Sequence, residues 1–143
     1  MGSLSAAASL QLPVALRGIK LGRPTDLLLD VDTRHAVGYV VRCGDESQRF
    51  LPYAASQTSE REIAVASALM LLEDVAFYVK RSVSFRSLLG GEVARNGRPA
   101  GVLRDVRIGR DGKVVELELE RGGTRRLVPA VGTAVVPTRA SAA

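Results

Sequence analysis

Gly101–Pro129 reads GVLRDVRIGRDGKVVELELERGGTRRLVP, and its period decides the fold. Val102–Ile108 is a short strand by this reading, and Arg110-Asp111-Gly112-Lys113 is a tight turn, because Asp-Gly accepts positive backbone dihedrals. Val115, Leu117 and Leu119 then alternate with Glu116, Glu118 and Glu120, which predicts a strand with one apolar and one acidic face. Gly122-Gly123 turns the chain again. Arg126-Leu127-Val128-Pro129 is a third strand, ending where proline removes a ladder donor.

The first half states the same unit. Asp26 falls on Asp105, Leu29 on Ile108, Asp32 on Asp111, Val37–Val41 on Val115–Leu119, Gly44 on Gly122, and Phe50-Leu51-Pro52 on Leu127-Val128-Pro129. The offset is 79 residues at the first pair (105 minus 26) and 77 at the last (129 minus 52). Both lost residues fall in turns, where length changes cost little. Self-similarity at this spacing implies two copies of one supersecondary unit.

These residues resemble the PRC-barrel family, which includes the cytoplasmic part of the photosynthetic reaction-centre H subunit and the C-terminal domain of a ribosome maturation factor. The second half carries the clearer match, from Ser87-Leu88-Leu89-Gly90-Gly91-Glu92-Val93 through Gly97, Gly101, Asp105 and Asp111-Gly112 to Pro129. In the first half the match is the segment Asp26–Pro52, with Leu16–Gly22 as a compressed opening. The resemblance implies a mainly β chain of two tandem small PRC-like barrels joined by a short helix. It implies residues 14–80 as the first unit with its bridging helix and 82–137 as the second; by their composition, 1–13 and 138–143 read as loose termini. It also implies a habit of contact with other macromolecules, and no active site.

Bulk composition agrees with a packed chain. At 143 residues, 46% hydrophobic and 24% charged, it is long enough for one compact body or two small barrels. Aromatic residues are 4% with no Trp, so the core is aliphatic. Residues 1–75 hold 7 Lys/Arg and 9 Asp/Glu, net −2, whereas residues 76–143 hold 13 and 6, net +7. A basic second half favours an acidic partner. The single cysteine, Cys43, cannot form an internal disulfide, which fits a reducing cytoplasm, and it reads as a plain strand-end residue. No segment reaches the roughly 18–20 apolar residues of a membrane span. The first residues, MGSLSAAASLQ, lack the basic start of a secretory signal and the sixth-position Ser or Thr of a myristoylation site.

In chain order, Val14–Leu21 is expected to open the first barrel, Gly22–Thr25 to turn it, and Asp26–Val31 to form the next strand, with a hairpin turn at Asp30–Arg34. On Val37–Arg42 the positions matching the outward glutamates are Gly38, Val40 and Arg42, so a cover over Val40 is expected, from the other barrel or a second chain. Tyr53–Ser59 reads as a polar loop and Glu62–Leu72 as a strand closing the first barrel, although 68–72 fits strand or helix. Glu73–Lys80 runs from acids to bases, which suits a short helix. Ser82–Ser87 leads to a strand at Leu88–Val93, Asn96-Gly97 centres a turn, and Val131–Val136 is a last strand before a fraying Pro137–Ala143.

The chemistry-bearing residues do not assemble into a catalytic set, and no enzyme activity, metal or cofactor is expected. His35 is the only histidine, so serine has no base and metal ligation no cluster. Asp30-Val31-Asp32 lacks the rest of a calcium loop, and no glycine pair opens a phosphate loop. Asp26 and Asp105 read as acceptors of backbone hydrogen bonds at strand bends. Two readings remain. One is a protein-interaction adaptor that uses Val40, Phe77 and Tyr78, alone or as a homodimer. The other is RNA binding through Arg104, Arg107, Arg110, Lys113, Arg121, Arg125 and Arg126, although residues 86–143 contain no aromatic residue on which a base could stack.

Overall fold

The computed structural model describes residues 3–30 and 32–138. In chain order these form β1 (Leu4–Ser5), α1 (Ala6–Ser9), β2 (Val14–Leu16), β3 (Ile19–Asp30), β4 (Ala36–Cys43), β5 (Gln48–Pro52), β6 (Ser56–Thr58), β7 (Ile63–Val65), α2 (Val75–Lys80), β8 (Ser82–Ser84), α3 (Phe85–Leu88), β9 (Glu92–Arg95), β10 (Arg98–Ile108), β11 (Val114–Arg121), β12 (Thr124–Pro129) and β13 (Thr133–Val135). The chain is mainly β, and its sheets curl into a half-barrel.

One sheet runs β5-β4-β3-β2-β7-β6 and the other β12-β11-β10-β9-β13, so the same four-strand meander appears in each. Two short strands cross between them. β1 pairs with β10 of the second half, and β8 pairs with β3 of the first. The sheets also touch where Ala36 N–H donates to Gly112 O at 2.7 Å and Val114 N–H to Arg34 O at 3.2 Å, which sets His35 beside Lys113.

Curling comes from bulges on the two long strands, because an extra residue bends a strand and increases its twist. β3 shifts register between Pro24 and Asp26, and β10 between Leu103 and Asp105. Each aspartate, immediately after the bulge, fastens the helical turn that arrives from the other half. Asp105 accepts from Ser5 Oγ, from Ala7 N–H at 2.9 Å and from Val106 N–H at 2.8 Å. Asp26 accepts from Ser84 Oγ, from Arg86 N–H at 3.2 Å and from Leu27 N–H at 2.8 Å. The expected backbone-accepting role at a strand bend is what both residues perform. Gly22 and Gly101 hold a second matched position: a Cβ on either would stand 2.4 Å from Arg42 O or 2.7 Å from Glu120 O, so the neighbouring strand passes over a bare backbone.

A single apolar cluster joins the halves, taking Leu27, Leu29, Val41 and Leu51 from the first and Leu103, Val106, Leu117 and Leu119 from the second. The crossing elements contribute as well: Ala6 of α1 and Phe85 of α3 are fully buried in it.

Several local expectations are corrected. Residues 3–13 are not a loose leader, since β1 joins a sheet and α1 buries Ala6. Ser5 caps α1 by accepting from Ala8 N–H at 3.1 Å, so this Ser/Ala stretch is held by capping and by Asp105. Gly22–Thr25 is not a turn; β3 runs through it, with Pro24 tolerated beside the bulge. The turn lies at Arg17-Gly18, whose φ values of 51° and 82° match those of Asn96-Gly97 at 52° and 80°, where a turn was expected. Leu88–Val93 does not open as a strand, because Ser84 Oγ caps α3 from Ser87 N–H and β9 starts at Glu92.

Tyr53–Ser59 contains a 3-10 turn and β6, and of Glu62–Leu72 only Ile63–Val65 is strand, followed by a 3-10 turn at Ala68–Met70. Val115 points outward at 38% exposure while Val114, at 4%, takes the inward place, because the ladder shifts register near Ile108. Leu117 and Leu119 face inward as expected. Within Glu73–Lys80 a short helix forms as α2, capped by Asp74, which accepts from Phe77 N–H at 3.3 Å. The last strand is present as β13 on β9. Val31 and the tail after Thr138 lie outside the described residues; Thr138 itself donates to Ser87 O at 2.9 Å.

Candidate interaction surfaces

Val40 lies on the outward face of the first sheet, yet it is only 6% exposed. Its cover is the segment Leu72–Tyr78 of the same chain, which replaces the expected cover by the other barrel or a second copy. Leu28, Val40 and Phe50 form a small buried cluster against which Val37, Leu72, Val75 and Tyr78 pack. The cover is hydrogen-bonded to the sheet edge. Phe50 N–H donates to Leu72 O at 2.8 Å and Leu72 N–H to Phe50 O at 2.7 Å, extending β5 by one bridge. Glu73 then pairs with Arg49 at 3.5 Å, and the Tyr78 ring stacks on Phe50 with centroids 3.8 Å apart. Tyr78 is therefore a packing residue, its ring lying parallel over that of Phe50.

The cover and the residues flanking it also expose apolar side chains. Leu69 is 85% exposed and Phe77 45%, with Met70 and Val79 also exposed. Arg81 lies over the Phe77 ring, 3.8 Å from its centroid, and donates to Phe77 O at 2.9 Å. Sequence reasoning found Phe77 and missed Leu69 and Met70, because it read 62–72 as a strand with a buried face.

Of the seven basic residues of the second half, Arg104 and Arg125 are matched by carboxylates. Arg104 pairs with Glu120 at 2.9 Å, and Arg125 with Glu118 at 2.9 Å and with Glu120 at 3.6 Å. Exposed pairs of this kind add little stability, but they match Glu118 and Glu120 on the outer face of β11. Arg121 donates to Pro99 O at 3.3 Å. Arg107 has a buried Nε without a partner among the described residues. Lys113 stands at the junction of the halves beside His35, and Arg110 lies on the rim of a cleft. Arg126 is exposed on the edge strand β12 and has no ion pair among the described residues.

The cleft beside Arg110 has a volume of about 970 Å³ and a hydroxyl-rich lining that includes Ser9, Tyr53, Ser56 and Thr58. Those hydroxyls serve the fold: Ser9 Oγ donates to Ala6 O at 2.8 Å and Ser56 Oγ to Tyr53 O at 2.8 Å. His35 is not in its wall. Burial, then the neighbouring Tyr39 and Asp111, push the Tyr53 phenol up to about 12, and burial pushes Tyr39 in the same direction.

A phenol raised above its unfolded value stabilises the folded state fully below about pH 10. That contribution is lost as pH rises from there through about 12. Denaturant midpoints measured between those limits should fall, and Tyr53→Phe should flatten the fall; an unchanged slope would remove Tyr53 as the cause.

Burial, followed by the Asp45 carboxylate, also pushes the Cys43 thiol up, opposite to the shift of an activated thiolate. Among the described residues no helix is long and apolar enough to cross a membrane. Compared with known families and with curated proteins, the chain matches no family model and no curated relative.

Proposed function

We propose that the chain is a non-catalytic protein-interaction module, built from two PRC-barrel-like halves and acting in the cytoplasm. The observation that carries this reading is the exposure of four apolar side chains, Leu69, Met70, Phe77 and Val79, in and beside the segment that covers the first sheet. Four large apolar side chains exposed within eleven residues are costly to leave in water, and exposed apolar surface of this kind is what protein contacts bury. The repeated meander, the paired bulge aspartates and the Asp-Gly and Asn-Gly turns support the family resemblance. The single unactivated cysteine supports the compartment.

Affinity capture from lysate of the source organism, with and without nuclease, tests the proposal against the Leu69→Ser, Phe77→Ser double variant. A defined protein should survive nuclease and moderate salt, and the variant should retain it about tenfold less well. Both substitutions lie on the surface, and circular dichroism checks that the fold persists. If all bound material disappears with nuclease and the variant behaves like wild type, the basic second half is the working surface and the RNA reading replaces this one.

A further inference from the structure

The first sheet contains a template for docking that the second sheet leaves empty among the described residues. At the outer edge of β5, an extended segment offers Leu72 to Phe50 through two backbone hydrogen bonds and Glu73 to Arg49 through an ion pair. Fifty plus 77 is 127 and 49 plus 77 is 126, so the matching residues on β12 are Leu127 and Arg126. β12 is the terminal strand of its sheet, and no other strand pairs with its outer edge.

The ladder phase confirms that Leu127 presents its backbone outward. Ala130 N–H donates to Val115 O at 3.0 Å, and the pairs run Val128 with Leu117, Leu127 with Glu118 and Arg126 with Leu119. In an antiparallel ladder the bonded positions alternate, so Val128 and Arg126 bond to β11 while the N–H and C=O of Leu127 point away from it. The Leu127 side chain, opposite Glu118, is 47% exposed. An edge of this kind is a template for strand addition. Pro129 matches Pro52 and ends the donors on that side, which limits the addition to a short bridge like that of Leu72.

Charge selects the occupant. Arg126 has no ion pair among the described residues, whereas Glu118 and Glu120 are already matched by Arg104 and Arg125. We propose that the outer edge of β12 binds an extended acidic segment of a partner protein, antiparallel, with an apolar residue opposite Leu127 followed by Glu or Asp opposite Arg126. This deepens the interaction-module reading and rests on it, but it uses a surface separate from Leu69 and Phe77.

The test uses the acetylated peptide ALMLLEDV, which copies residues 68–75, titrated into the isotope-labelled full chain while amide shifts are followed. Saturable changes are expected at Arg125 and Leu127. Arg126→Glu should weaken binding about tenfold, and a peptide carrying Lys at both acidic positions should bind that variant and not the wild type. The Leu69→Ser, Phe77→Ser variant should bind the peptide as wild type does, so failure here with a positive capture result removes only this site. Changes confined to β5, absence of binding at about 1 mM peptide, or indifference to Arg126→Glu would overturn the proposal. Concentration-dependent shifts at β12 without peptide would also overturn it, by making a second copy the occupant.

Discussion

Phe85→Ala should destabilise the protein by about 3–5 kcal/mol, the usual cost of emptying a fully buried phenylalanine site. Phe85 belongs to the second half by sequence, yet α3 packs against β3 of the first and the ring lies within the common apolar cluster. The cavity would therefore open in the one core that both sheets share. A cluster containing Leu27, Val41, Leu103 and Leu117 makes the main interior common to both sheets, so unfolding should be a single transition in the variant as in wild type. At this chain length the loss corresponds to roughly 3 °C per kcal/mol, about 10–15 °C in Tm. Denaturation followed by far-ultraviolet dichroism and by tyrosine fluorescence should give coincident curves. Two separated transitions, or a loss below about 1 kcal/mol, would show that Phe85 does not join the halves.

How much of this was legible depended on how far each residue's partner lies along the chain. Asp111-Gly112, Asn96-Gly97 and the Glu116, Glu118, Glu120 alternation declared themselves because turn chemistry and strand period are local. The repeat was also visible, since its punctuation recurs in order. The crossing elements were not. Ser3–Ser9 looks like a loose leader until Asp105, a hundred residues from Ser5, is brought to its capping serine. Pro24 reads as a turn residue because proline usually interrupts strands; at a bulge it interrupts nothing, and the true turn at Arg17-Gly18 lacks the Asn that marks its counterpart.

The candidate surface was half legible for the same reason. Apolar Val40 at a position where the repeat carries Glu118 announced a cover. Only the three-dimensional path of residues 66–80 shows that the chain covers itself and turns Leu69 and Phe77 outward instead. For the basic residues, sequence counts charges and cannot see that Arg104 and Arg125 are matched by glutamates on the neighbouring strand.

Asp105→Ala should cost about 2–4 kcal/mol, because hydrogen bonds to a carboxylate and the donors left behind on its removal each weigh on the order of 1–3 kcal/mol. The substitution strands Ser5 Oγ, Ala7 N–H and Val106 N–H, with Asp105 itself buried at the bulge. Asp26→Ala should cost less, since Asp26 is only partly buried and Arg86, which it fastens, also donates from Nε to Thr25 O. The two variants thus differ in consequence as well as in size. Asp105→Ala should release β1 and α1 from β10, speeding amide exchange at Ala7 and Ala8 before the rest of the fold is affected, whereas Asp26→Ala should loosen β8 and α3. Asp105→Asn keeps an acceptor for Ala7 N–H and should recover part of the loss. If Asp105→Ala unfolds at the wild-type denaturant midpoint with unchanged exchange at Ala7, the aspartate does not hold the exchanged segment and the junction of the halves rests on apolar burial alone.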